Sequence, residues 1–173
     1  MNGVDLASNA SKLLRATSDM KYIELSKGRA SAIVDDEDYS RISQHSWSFS
    51  LGGYATRREG KRTIYMHKEI MPPTTDEVDH INGNQLDNRK HNLRVCTHAE
   101  NTKNRSPNKN PGNSRFKGVD FQKRSGTWRA RITVNYRKIY LGDFRTEVDA
   151  AIAYNGAAMK YHGRYKKLNE IPA

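Results

Sequence analysis

Residues 104–114 read Asn-Arg-Ser-Pro-Asn-Lys-Asn-Pro-Gly-Asn-Ser, with two prolines and no large apolar side chain. A stretch of this kind adds nothing to a core and interrupts both helical and sheet hydrogen bonding. The 173-residue chain therefore cannot close around one continuous interior. It divides instead into an N-terminal extension (1–20), a first domain (21–105), a linker (106–113) and a second domain (114–173). Only 35% of residues are apolar and mean hydropathy is −0.92, which suits two small cores better than one large one.

Charge is distributed as unevenly as structure. Residues 1–66 carry 10 basic and 8 acidic side chains, and residues 67–105 carry 6 of each. Residues 106–173 carry 14 and 5, so this last third holds +9 of the chain's formal +11. Such a patch fits a polyanionic partner. The neutral middle has a different logic, because acids are needed where a metal must be held. No apolar run approaches the ~18–20 residues of a membrane span, and Met1 to Met20 lack the apolar core of a secretory signal. The single cysteine, Cys96, rules out an internal disulfide framework, and no structural zinc site is expected. These features predict a soluble protein of a reducing, cytoplasmic compartment, with no membrane partner.

The pattern of short runs predicts an α+β chain. Ser8 to Leu14 can form a short helix. Tyr22–Leu25, Ala32–Val34, Trp47–Ser50 and Tyr54–Thr56 alternate like strands, and Asp35 to Tyr39 opens a short helix leading to Trp47. Val78–Ile81 and Leu93–Cys96 read as two strands around a loop rich in Asn, Gly and Asp. Thr97 and Glu100 have capping-box spacing for a helix running to about Arg105. Beyond the linker come three strands, Phe116–Gln122, Trp128–Val134 and Lys138–Phe144. A helix from Thr146 to Tyr161 follows, with Val148, Ala151, Ile152 and Met159 near helical spacing.

The middle segment carries the chemistry. Asp79 and His80 leave the first strand of the strand–loop–strand–helix unit, and Asn101 lies on its helix. A carboxylate and an amide oxygen suit one hard divalent cation, Mg²⁺ first and Mn²⁺ as the alternative, completed by water and phosphate oxygens. His80 beside it can take a proton from attacking water. Val78-Asp-His-Ile-Asn-Gly, Asp87-Asn-Arg-Lys-His-Asn-Leu-Arg and Glu100-Asn101 together resemble the HNH endonucleases of phages and mobile introns. The resemblance implies a ββα-metal fold in which His80 is the general base and Asp79 and Asn101 are metal ligands. It makes Asn92 the central asparagine that pins the loop. His98, three residues before Asn101 on the same helical face, is a rival ligand. Asn82, Asn84 and Asn88 read as turn formers, and His67 as a packing or capping residue.

The last third carries a second pattern. Arg129, Arg131 and Thr133 alternate with Trp128, Ala130, Ile132 and Val134, so one sheet face is basic and the other is covered by the helix. Phe116-Lys-Gly-Val, Trp128-Arg-Ala-Arg-Ile, Tyr140-Leu-Gly-Asp-Phe and Ala150-Ala-Ile-Ala-Tyr-Asn resemble the DNA-binding domain of plant ethylene-response factors, also called the apetala-two type. That resemblance implies a three-stranded antiparallel sheet packed on one helix and lying in the DNA major groove. By motif position it nominates Lys117, Gln122, Arg131, Thr133, Lys138 and Tyr140 as DNA-facing. Arg124 and Arg129 are nominated from local charge. Asp120 falls where the plant proteins often carry arginine.

Together these readings predict a phage-encoded, homing-type HNH endonuclease acting on double-stranded DNA in the host cytoplasm. As a monomer or weak homodimer it would nick one strand at a time. The competing reading is a DNA-binding regulator that keeps an inactive HNH fold. An RNA-binding accessory lacks the expected stacking aromatics.

Overall fold

The computed structural model describes residues 20–26, 30–105 and 114–172. The helix expected over 8–14 and the linker expected over 106–113 lie outside the described residues. The chain forms two units, one up to Val95 and one from Cys96 onward. Both mix short helices with antiparallel sheet, as the α+β reading expects.

The first unit opens with a hairpin of β1 (Met20–Glu24) and β2 (Ser31–Asp35), paired from Met20↔Asp35 to Glu24↔Ser31. Helix α1 (Asp36–Ile42) follows at once, with three acids in its first turn facing the positive end of the helix dipole. Strands β3 (Ser48–Phe49), β4 (Ala55–Glu59) and β5 (Arg62–Tyr65) form a second small sheet, and α2 (Met66–Ile70) leads out of it. The sequence reading contained neither β5 nor α2. Their apolar residues are too few and too closely spaced to show a period. β6 (Glu77–His80) then pairs with β7 (Leu93–Cys96).

One cluster holds these pieces together. Leu25, Val34, Ile42, Trp47 and Met66 are at most 1% exposed, and Val78 and Leu93 bring β6 and β7 into the same core. Burying the Trp47 indole leaves no orphan donor, since Nε1–H donates to the Ile42 carbonyl at 2.8 Å.

The second unit begins with α3 (His98–Asn104), whose capping box forms as its sequence spacing predicts. The Glu100 amide donates to Thr97 Oγ1, and the Thr97 amide donates back to Glu100 Oε2. Strands β8 (Val119–Gln122), β9 (Thr127–Val134) and β10 (Arg137–Phe144) make an antiparallel sheet with β9 central. Helix α4 (Glu147–His162) covers one face and is capped by Thr146, which accepts from the Asp149 amide. Its buried stripe is Ala150, Ala151, Tyr154 and Ala158. Ile152 and Met159 are more than half exposed, unlike the sequence expectation. Ile152 lies about 200° around the helix from Ala150, and the alanine stripe brings the backbone closer to the sheet than branched side chains allow.

That close approach makes Gly118 a constraint. Its φ of +75° is a left-handed value, and a Cβ there would collide with the Tyr154 ring and stand 2.5 Å from the Arg131 carbonyl oxygen. Gly126, with φ +67°, has nothing within 4 Å. Gly118→Ala should therefore combine backbone strain with overpacking and lower stability by roughly 2–4 kcal/mol. Gly126→Ala should cost only about 1–2 kcal/mol, from the backbone alone. Urea unfolding of the two variants checks the difference.

Candidate functional site

The loop between β6 and β7 is held by side chains, because its backbone makes few regular bonds. Asn92 is the closing piece: its Nδ2 donates to the Asp87 carbonyl at 2.7 Å, and its Oδ1 accepts the Asn82 amide at 3.0 Å. The Asp87 carboxylate in turn accepts from Asn82 Nδ2 and takes two hydrogen bonds from the Arg89 guanidinium, at 2.7 and 2.8 Å. The Arg89 pair holds the Asp87 carboxyl below its usual range. Asn82 and Asn84 form turns through their side chains, accepting the amides of Asn84 and Leu86. The tip is tied to β2, where Ile33 exchanges backbone bonds with Leu86 and Asn88.

Inside this frame sit Asp79 and His80, both buried at the end of β6. Asn88, expected as a turn former, is 1% exposed and contacts His80 instead. Its Nδ2 donates to the Leu86 carbonyl, so Oδ1 faces the ring, 3.2 Å from Nε2. This arrangement assigns the proton to Nε2 and the lone pair to Nδ1. Burial pushes the His80 imidazolium below the ordinary histidine range, against the opposite pull of the Asn88 bond and of the Asp79 and Asp87 carboxylates. His80 is therefore neutral near pH 7, as a general base must be.

Two more rings flank it, and a third packs behind them. His67, from α2, lies edge-on to His80 with centroids 5.0 Å apart, and Tyr54 approaches both rings. Tyr65 stacks obliquely on His67. Burial, the His80 ring and Lys68 lower the His67 pKa to about 3. The packing role read for His67 from sequence agrees with these contacts. No short-range sequence signal ties Tyr54, His67 or Asn88 to His80, because their proximity comes from three separate elements.

Arg94, on β7, was also missed. Its Nε and one terminal nitrogen donate to Asp79 Oδ2 at 3.0 and 2.6 Å. Asp79 is thus a buried carboxylate paired with a cation. The Asp79 carboxylate is a donor suited to a hard divalent ion that keeps most of its water. No cluster of three or more His, Cys, Asp or Glu ligands occurs among the described residues. Asn101 is half-buried on α3, and His98, on the same helix, is exposed. That helix belongs to the second unit.

The proposed DNA-facing residues spread over the outer side of the β8–β9–β10 sheet. Cross-strand pairs put Asp120 with Arg129, Arg131 with Tyr140, and Thr133 with Lys138. Asp120 gathers its neighbours: Arg129 and Arg131 donate to its carboxylate at 2.8 and 2.7 Å, and Gln122 also bonds to it. Arg124, Thr133, Lys138 and Tyr140 are exposed. Lys117 is placed differently. Its ammonium donates to the carbonyls of Thr102, Lys103 and Arg105, at 3.3, 2.6 and 2.6 Å. Burial and the nearby Lys167 and Arg105 lower its pKa to about 8.

Residues 72–103 match the HNH endonuclease family, a span that takes in β6, the loop, β7 and nearly all of α3. Over 95% of its length the chain is 27% identical to an uncharacterized HNH endonuclease of Acanthamoeba polyphaga mimivirus, covering 88% of that protein. A 64-residue stretch, 36% of the chain, is 45% identical to APETALA2-like protein 2 of Oryza sativa, and 58 residues are 39% identical to the AP2-like ethylene-responsive transcription factor TOE2 of Arabidopsis thaliana. The chain spans only 14% and 12% of those two plant proteins. No solved structure matches it. No helix among the described residues is long and apolar enough to cross a membrane.

The two buried histidines of this site generate a stability prediction. Both have folded pKa values below the unfolded 6.5, so below pH 6.5 the unfolded chain binds more protons. Stability should be complete above pH 6.5 and fall as the solution is acidified toward pH 4, by up to about 1.4 kcal/mol per pH unit for each group. His67→Phe keeps an aromatic ring but cannot titrate. It should remove about one proton's worth of that slope in urea unfolding series between pH 4.5 and 6.5.

Proposed function

We propose that the chain is a metal-dependent endonuclease that hydrolyses phosphodiester bonds of double-stranded DNA, targeted by its C-terminal sheet. The observation that carries this reading is the setting of His80: buried, neutral, tautomer-directed by Asn88, and next to a carboxylate in a segment matching the HNH family.

In this reading His80 Nδ1 takes the proton of the attacking water. As the ring becomes charged, the Asn88 carbonyl and the Asp79 and Asp87 carboxylates stabilise the imidazolium. Asn92 holds the loop so that β6 presents His80 at a constant angle. Asp79 and Asn101 would hold the divalent ion, Mg²⁺ or Mn²⁺, with His98 as the rival to Asn101. When bound, that ion neutralises charge on the attacked phosphate and the leaving oxygen. The products are a 5′-phosphate and a 3′-hydroxyl. One such site cuts one strand, so a monomer nicks. Arg129, Arg131, Thr133, Lys138 and Tyr140 supply the basic and aromatic face for the duplex. The hypothesis also makes the protein cytoplasmic and phage-derived, with homing as its biological use.

Arg94's grip on Asp79 favours a second reading, an inactive HNH scaffold serving a DNA-binding regulator, with the guanidinium occupying the charge position of a metal. A plasmid-nicking assay separates the two. His80→Ala should reduce nicking by roughly 10²–10⁴-fold while duplex affinity stays nearly unchanged. A mutant retaining more than about a tenth of the rate excludes His80 as the base.

The metal set has its own test. Asp79→Ala should be inactive at every Mg²⁺ or Mn²⁺ concentration, and Asn101→Ala partly recoverable at high metal, because a neutral amide contributes less than a carboxylate. If His98→Ala is inactive and Asn101→Ala active, the ligand is His98.

A further inference from the structure

Helix α3 is short, seven residues, and depends on contacts for its placement. Within the second unit one face of it lies over a cavity of about 650 Å³ lined by His98, Thr102, Lys103, Tyr154 and His162, so close packing does not fix it there. Polar contacts hold its two ends. At the C-terminus, the ammonium of Lys117 donates to the carbonyls of Thr102, Lys103 and Arg105, in the last turn and cap where a helix leaves carbonyls in need of partners. A cation there also faces the negative end of the helix dipole. At the N-terminus, Tyr165, a buried residue, stands within hydrogen-bonding reach of Glu100, the acid of the capping box. Lys117 precedes β8 and Tyr165 follows α4, so both belong to the sheet-and-helix module.

We propose that Lys117 is a positioning residue rather than a DNA contact, and that with Tyr165 it latches α3, with Asn101 and His98, to the sheet module. The inference rests on the nuclease reading for its functional consequence, though the latch itself does not. It makes targeting and chemistry interdependent. The family match over 72–103 runs into α3, so the module that grips DNA also determines where the helix carrying the second ligand candidate stands.

Hydrogen exchange of the metal-free, full-length protein tests the latch without using activity. Lys117→Met keeps the apolar stem and deletes the three bonds. Amides of residues 101–105 should exchange about tenfold faster or more, with β9 amides unchanged, and Lys117→Arg should restore part of the protection. Tyr165→Phe should loosen the same helix with an intact core. In nicking assays Lys117→Met should lower kcat about tenfold and raise the Mg²⁺ needed for half-maximal rate, with duplex Kd within about threefold of wild type. Unchanged exchange in both variants overturns the latch. Weaker duplex binding with kcat preserved returns Lys117 to the phosphate contacts and overturns the proposal. Faster exchange with normal kcat and metal dependence overturns the positioning role. A wild-type protein that never nicks defeats the nuclease reading instead, and exchange still decides whether Lys117 holds α3.

Discussion

The closure of the 81–92 loop by Asn92 and Asp87 is the interaction on which the site depends. Two short strands cannot set the angle of their own connection, and this loop is too polar to be held by apolar packing. Asn92 bridges the Asn82 amide and the Asp87 carbonyl, while the Asp87 carboxylate fastens Asn82 and Arg89. Each bond is modest in water, but Asn92 and Asp87 are nearly fully buried, and a lost partner would leave a desolvated polar group. These bonds brace the loop against the ends of both strands, and β6 carries Asp79 and His80 beside it.

Burial then sets the chemistry. His80 is kept neutral by the same desolvation that makes a charged group near it costly, and His67 and Tyr54 supply that environment. The Asp79 and Asp87 carboxylates pull the other way and favour the charged ring. Asp79 obeys the complementary rule: a buried carboxylate needs a cation, and Arg94 provides one. A divalent ion at Asp79 would share the carboxylate with that guanidinium, which couples metal affinity to the placement of Arg94.

The basic module follows a different economy of charge. Asp120 collects Arg129 and Arg131 on the outer sheet face, reducing their mutual repulsion and ordering two flexible side chains. Local neutralisation weakens the electrostatic field there, while the arginines' remaining donors stay aligned for a planar partner. Exposed Lys138 and Arg124 carry undiluted charge. The side chains with aligned donors and those with unneutralised charge are therefore different residues.

Much of this was legible in order along the chain. Strand alternation through 128–134 and the Thr97–Glu100 capping box are local patterns, and each depends only on spacing that a helix or strand converts directly into a face. Tyr154 and the alanines of α4 were harder to read, since their burial reflects how closely the helix approaches Gly118 rather than their own hydropathy. Asn88 and Arg94 were not legible as what they are. Each meets its partner on another element: Asn88 meets His80, and Arg94 meets Asp79. The sequence by itself determined which residue types and which local elements were available. Tertiary structure alone decided the pairings, because a hydrogen bond of 3 Å depends on how separate elements pack, and no local spacing encodes that distance.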